Sequence, residues 1–407
     1  MLPLAGIRVV DLSTVVMGPY ASQWLADLGA EVIKVEPPEG DSTRRTGPAA
    51  EPGMAAIFLG VNRGKRSVVL DLKQPAAQAA LARVLDRADV LMHSMRPQKL
   101  AALGLDPETV RAQHPDLVFV SLLGFAEDGP YGGRPAYDDI IQGLSGNAAL
   151  MAAQTGDSRY FPTIAADKTS GLVAALSVCA ALAGRARRRA DGGSGHGTLV
   201  EVPMFESMVA FNLVEHFYGR HFDPPRGPSG YPRVLARLRR PYRSADGHVC
   251  MMPYTDAHWR DFFHAAGRPD LAADARFAGI AARTEHIETL YELTGEIVQA
   301  HSTAHWVALC ERLQIPVARI NTLDDLPHDP HLAATGFFET ADDPVMGKLR
   351  FPGAPVRFDG QRAPLALPPR LGEHTRAVLA DAGLADEQIA QLQQSGAAHC
   401  APATETP

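Results

Sequence analysis

The chain of 407 residues lacks most of the signatures that mark common binding chemistries. Its four cysteines, Cys179, Cys250, Cys310 and Cys400, are widely spaced and form no CxxC pair. That spacing argues against a disulfide framework or a cysteine zinc site and suits a reducing cytoplasm, where the protein is expected. Fifteen histidines are present, yet no HExxH or comparable ligand spacing appears, so no metal is expected. No glycine fingerprint of the GxGxxG kind follows the first strand, and no Walker A loop occurs, which disfavours a conventional NAD or ATP site. A net charge of −7 disfavours a nucleic-acid partner. The opening MLPLAGIRVVDLS lacks the basic and apolar regions of a signal peptide. With no run of about 18 apolar residues, no membrane partner is expected either.

What is present is a globular composition, 46% apolar and 21% charged, on a chain long enough for two domains. Short β-branched runs alternate with helical stretches. Residues 7–12 and 31–35 read as strands around a helix at 21–28, and strands at 67–72, 90–93 and 117–122 follow a helix at 76–88. This is the pattern of an α/β protein with a mostly parallel, doubly wound sheet. In such sheets ligands bind beyond the carboxyl ends of the strands. Lys73 and Arg96 fall at those ends. Each is either a solvated surface charge or a ligand for phosphate.

Residues 124–146 are rich in Gly and Pro and read as a long loop before a short helix. Further on, Asp167 stands at or just before the start of an alanine-rich helix that closes on Arg187, Arg188 and Arg189 and then Gly192. Locally, Asp167 reads as a helix cap or as a site carboxylate. Composition shifts at Phe222, where five prolines and six arginines fall within 22 residues. The expected layout is a large domain at 1–221, a linker at 222–243, a small domain at 244–322, a linker at 323–330, and a return at 331–407 with a frayed tail from Ala397.

Seven stretches in order, RVVDLSTVVMGPYASQWLADLGAEVIKVEPPEGDSTR, NRGKRSVVLDLK, PDLVFVSLLGFAEDGPY, RPAYDDIIQGLSG, AADKTSG, VEVPMFES and LGEHTRAVL, resemble the class III CoA-transferases. Formyl-CoA and carnitine CoA-transferases and the α-methylacyl-CoA racemases are relatives of this family. The resemblance covers about Leu4 to Leu392. It implies a Rossmann-like large domain built from both chain ends, a smaller middle α+β domain, and an interlocked homodimer. It implies CoA or acyl-CoA as substrate, a carboxylic acid partner, and Asp167 as catalytic nucleophile. Val16, Arg44, Lys73, Ser94, Met95, Arg96, Lys99 and Tyr137 are the candidate contacts for CoA and acyl group.

The chemistry suits the residue. Moving CoA between two acids conserves the thioester's energy if a carboxylate attacks and forms an anhydride and then an aspartyl-CoA thioester. The N–H groups of Lys168 to Ser170 are the expected oxyanion donors. The racemases use a His and an Asp as opposing acid and base, and their histidine falls in a Gly-His-Asp stretch that is Ala136-Tyr137-Asp138 in this chain, so Tyr137 replaces it. A tyrosine, with an ordinary pKa near ~10, is poorly matched to deprotonating an α-carbon. CoA transfer from a donor such as succinyl-CoA is therefore the leading expectation. The alternatives are an α-methylacyl-CoA racemase or epimerase and a CoA-binding protein without catalysis. The small domain lacks a glycine-rich loop, which disfavours a formyl-CoA/oxalate pair. Arg226, Arg233, Arg237, Arg239, Arg240 and Arg243 are either a basic linker or a clamp for a dicarboxylate acceptor.

Overall fold

The computed structural model describes residues 1–401 and divides them into two compact units. The first comprises Met1–Ser145, Pro162–Phe211 and the segment from Ala333 onward. Its elements run β1 (Arg8–Asp11), α1 (Met17–Asp27), β2 (Glu31–Glu36), α2 (Ala56–Val61), β3 (Lys65–Leu70), α3 (Pro75–Leu85), β4 (Val90–His93), α4 (Pro97–Ala102), α5 (Pro107–Gln113) and β5 (Val118–Leu123). After these come α6 (Asp138–Leu144), α7 (Asn147–Thr155), which groups with the second unit, α8 (Ala165–Ala190), β6 (Leu199–Pro203) and α9 (Met204–His216). Strands β1 to β6 are parallel and ordered β3-β2-β1-β4-β5-β6. The chain reverses direction across the sheet between β1 and β4, which places the switch point, and the ligand crevice, at their carboxyl ends.

Residue alternation along the strands builds two cores. Val9 faces one side with Met17, Ala21 and Leu25 of α1 and with Ala174, Val178 and Leu182 of α8. Val10 faces the other with Leu81 and Leu85 of α3 and with Val378, Leu379 and Ile389 near the C-terminus. Both side chains are fully buried, as a sheet covered on both faces requires.

Three sequence expectations change. The tail from Ala397 is not frayed up to residue 401. Ala398–His399 forms a seventh strand, antiparallel to β3, and the Asp71 N–H donates to the Ala397 carbonyl at 2.9 Å. Among the described residues one helix, α8, is long and apolar enough by length and composition to cross a bilayer, although no such stretch was expected. Here it packs as a core helix on α1, β5 and β6. Residues 146–161, expected in the large domain, belong with the second unit. The reason is α7, whose Gln154 donates to the Val234 carbonyl at 3.2 Å and whose Asn147 pairs with Asn212.

The second unit, Gly146–Phe161 with Asn212–Leu332, holds the stretch expected as an interdomain linker at 222–243. Its core of Trp259, Phe262, Phe263 and Trp306 lies among helices beside a small antiparallel sheet of Tyr242–Arg243, His248–Met251 and Val317–Arg319.

Candidate active site

A cleft of about 530 Å³ opens at the carboxyl ends of β1 to β5. The segment from Leu12 to Met17 forms one wall, Ser94 to Lys99 another, and Asp167 stands at its end with Tyr137. The cleft is therefore where the strand order places a ligand.

Asp167 lies in the first turn of α8. Burial, with the neighbouring Asp138 carboxylate, pushes its carboxyl up to about 6, and the Met17 backbone N–H offsets part of that rise. The ambiguity left by the sequence has a clear answer. Asp167 does not cap its helix. The cap position holds Ile164, which has no side-chain acceptor. Asp138 reaches in from α6 instead, and its Oδ1 accepts the N–H groups of Ala166 at 2.7 Å and Asp167 at 3.1 Å. Its Oδ2 accepts from Gln142 at 2.6 Å. The capping role therefore belongs to one aspartate, and a second is left facing the cleft.

The expected oxyanion donors are corrected by the same helix. Because α8 starts at Ala165, the Lys168 N–H already donates to the Ile164 carbonyl at 3.2 Å, and Thr169 and Ser170 lie inside the helical ladder. The backbone N–H that lowers the Asp167 carboxyl is instead that of Met17, in the first turn of α1. Close helix packing makes this possible. A Cβ on Gly171 would lie 2.8 Å from the Met17 carbonyl oxygen, so only glycine lets α8 approach α1 this closely.

Of the predicted contacts, Lys73, Ser94, Met95, Arg96, Lys99 and Tyr137 line the cleft with Asp167. Lys73, Arg96 and Lys99, joined by Arg134, have no salt bridge to a carboxylate among the described residues. Four cations without an ion pair on one cleft suit a ligand that carries several phosphates. The Ser94 hydroxyl accepts the Thr14 N–H at 3.1 Å, so it also ties two walls together. Behind Met95, the buried His93 takes the Met95 N–H at 3.2 Å and is pushed down to about 4 by burial, so it is neutral.

Two predicted contacts lie elsewhere. Val16 is buried at the start of α1, while its neighbours Val15 and Met17 line the cleft. Arg44 is only 2% exposed and forms a two-pronged pair with Glu36, both bonds 2.7 Å, beneath Phe58. A guanidinium held this way is no longer available to a phosphate. Sequence reasoning did not single out Arg134, Val15 or Met17. The first lay in a loop with no periodic signal, and the other two act through backbone atoms.

The six arginines from Arg226 to Arg243 fall in the second unit. None has an ion pair among the described residues, and Arg233 is buried with its Nη1 unpartnered. No group of three or more potential metal ligands occurs among the described residues.

The fold and cleft define an open-sheet α/β enzyme that sets a buried carboxylate, Asp167, in one cleft with several unpaired cations. The family model of CoA-transferase family III matches residues 4–375, and the chain belongs to that family; it is a CoA-transferase acting on acyl-CoA. The succinate–glutarate CoA-transferase of Agrobacterium fabrum is 32% identical over 93% of this chain and 95% of its own. A probable fatty acyl-CoA transferase of Mycobacterium tuberculosis is 33% identical over 93% of this chain and 98% of its own. Among solved structures, a CAIB/BAIF family protein from Brucella suis superposes with a TM-score of 0.77 at 30% identity, covering 94% of this chain and 99% of that one.

Proposed function

We propose that the protein moves CoA from succinyl-CoA to a second carboxylic acid through covalent intermediates on Asp167. One observation carries this reading: Asp167 lines a cleft bearing four unpaired cations, and its carboxyl is raised there by burial, while the adjacent Asp138 is occupied with the helix end. The ionised Asp167 attacks the thioester carbonyl, the C–S bond breaks, and CoA thiolate leaves behind a mixed anhydride. The thiolate then attacks the Asp167 carbonyl carbon, expelling the donor's carboxylate and giving an aspartyl-CoA thioester. The acceptor carboxylate attacks that thioester and releases the thiolate, which attacks the acceptor's acyl carbon and frees Asp167. In the steps where Asp167 is the electrophile, negative charge gathers on its own oxygen, and the Met17 backbone N–H favours that charge.

A dicarboxylate acceptor is favoured by the unpaired arginines of the second unit and by the succinate and glutarate in the Agrobacterium relative's name. A panel of mono- and dicarboxylates with succinyl-CoA, read by mass spectrometry, ranks acceptors directly. A homodimer is favoured by the exposed Ile140, Leu144, Leu172 and Leu176 on α6 and α8, an apolar surface that a second copy would cover.

Trapping tests the mechanism. With succinyl-CoA and hydroxylamine, a hydroxamate is expected on the peptide containing Asp167. A modified peptide elsewhere, or turnover without any adduct, overturns the reading. In D2O without an acceptor, a racemase would exchange the α-proton of a branched acyl-CoA; no exchange is expected here. Arg96→Ala and Lys73→Ala are each expected to raise KM for acyl-CoA about tenfold and to leave kcat nearly unchanged, as loss of one charge-assisted phosphate contact implies.

A further inference from the structure

Five arginines are buried among the described residues: Arg44, Arg63, Arg185, Arg233 and Arg283. Four of them meet a carboxylate. Arg44 pairs with Glu36 at 2.7 Å, Arg63 with Asp27 at 2.5 Å, Arg185 with Asp89 at 2.6 Å and Arg283 with Asp256 at 2.5 Å. Arg233 is the exception. It is 5% exposed, yet its side chain has no ion pair and donates no hydrogen bond among the described residues, and its Nη1 is sealed from solvent without a partner. An uncompensated buried charge is strongly destabilising. A lysine escapes that cost by losing its proton, and an arginine does not.

The two buried arginines of the second unit converge on the turn between strand His248–Met251 and helix Asp256–Ala265. Arg283 spends its donors there and nearby, on the Asp256 carboxylate, on the Tyr254 carbonyl at 3.5 Å and on the Phe277 carbonyl at 2.9 Å. Arg233 comes from the short helix Pro232–Leu235 and ends beneath the Tyr254 ring, with its guanidinium carbon 5.3 Å from the ring centroid. A ring face attracts a cation but supplies neither a countercharge nor an acceptor in the guanidinium plane. Two cations and one carboxylate leave the turn one negative charge short. The Tyr254 side of this arrangement is open, since Tyr254 itself is 56% exposed.

The missing group has a defined chemistry. A guanidinium offers parallel N–H groups that match the two oxygens of a carboxylate. Transfer of CoA to an acid brings such a carboxylate to the protein in every cycle.

We propose that Arg233 anchors a carboxylate-binding site of the second unit, covered by Tyr254, and that the acid substrate of the transfer reaction is its ligand. The inference rests on the reading of the protein as moving CoA to a free acid; it does not depend on which residue is the nucleophile.

Calorimetry with succinate, glutarate and inorganic phosphate tests it on the full chain and on Arg233→Met. KM is measured alongside for succinyl-CoA and for the acid that the acceptor panel ranks first. The wild-type chain is expected to bind the acids, and Arg233→Met to bind them about 10–100-fold more weakly, as loss of a charge-assisted pair implies. KM for the acid rises by the same factor while KM for succinyl-CoA holds. Without acid, Arg233→Met is expected to melt at a higher temperature than the wild type, because an unpaired buried charge is gone. Saturating acid raises the melting temperature of the wild type alone. An arginine that merely packs the second unit would give the reverse: a lower melting temperature on substitution and the same response to acid.

No acid binding by the wild type, equal binding by both proteins, an unchanged KM for the acid, or phosphate bound as tightly as the acids overturns the proposal. So does a wild-type melting temperature that rises with protein concentration and not with acid, which assigns the missing charge to a second copy. If Arg233→Met folds poorly, Arg233→Lys decides. It keeps the charge and loses the fork, so acid binding is expected to weaken about tenfold, and full-strength binding overturns the site. Acid binding that depends on Arg233, with no transfer to any acid, would instead overturn the transfer reading alone.

Discussion

Asp167→Asn is expected to abolish CoA transfer, by about 10⁴-fold or more, and at the same time to make the protein more stable at neutral pH. The two effects share one cause. The Asp167 carboxyl is buried beside a second carboxylate, which raises it from 3.8 to about 6. Between those values the folded state holds a proton that the unfolded chain has released, so stability falls as pH rises through the window. Above about 6 the full penalty is present, on the order of 3 kcal/mol from the size of the shift. Asparagine keeps the shape but carries no charge, so the penalty disappears. Urea unfolding at pH 8 and at pH 4 measures it. The variant is expected to gain stability at pH 8 and nearly none at pH 4. Turnover near the wild-type rate, or no gain at pH 8, contradicts the assignment. The wild-type enzyme needs the ionised form, so its rate is expected to fall tenfold per pH step below about 6.

The second large effect concerns Asp138, where two substitutions separate charge from hydrogen bonding. Asp138→Asn keeps an oxygen for the N–H groups of Ala166 and Asp167 and removes the charge. The acid limb is then expected to move to lower pH with kcat largely kept, because a like charge no longer opposes ionisation of Asp167. Asp138→Ala removes the cap itself. It is expected to cost about 1–2 kcal/mol of stability and to lower kcat about 10²-fold as the first turn of α8 loosens. A proton-transferring Asp138 would make the two variants equally inactive. Rate–pH profiles and thermal melts of both proteins distinguish the cases.

The sheet was legible because buried parallel strands are short β-branched runs, and β1 to β5 are such runs. The position of Asp167 was legible too, since an alanine-rich stretch ending in arginines and glycine marks α8 at both ends. What caps that helix was not. Asp138 stands 28 residues before Ala166 and meets it only through the fold, and such a contact leaves no periodic trace. Arg44 was misread for a related reason. From sequence, an arginine after an acidic segment looks the same whether it faces a phosphate or folds back on Glu36. The Asp41 carboxylate that accepts the Val15 N–H was hidden more deeply, because Asp41 and its ion-pair partner Lys34 look like ordinary surface charges in an EVIKVEPPEGD stretch. Their full burial becomes visible only once β2 lies in the middle of the sheet.

The seventh strand has a consequence for how the chain matures. Ala398–His399 lies against β3, the strand that leads to Lys73 and one edge of the cleft. A ribosome making this protein releases β3 some 330 residues before the partner that covers its outer edge. Through most of synthesis that edge offers unpaired backbone groups, a template for unwanted strand addition. The enclosed second unit, Asn212–Leu332, emerges during the same interval. The sheet that carries the cleft therefore keeps one edge open to misassociation until Ala398–His399 has been made.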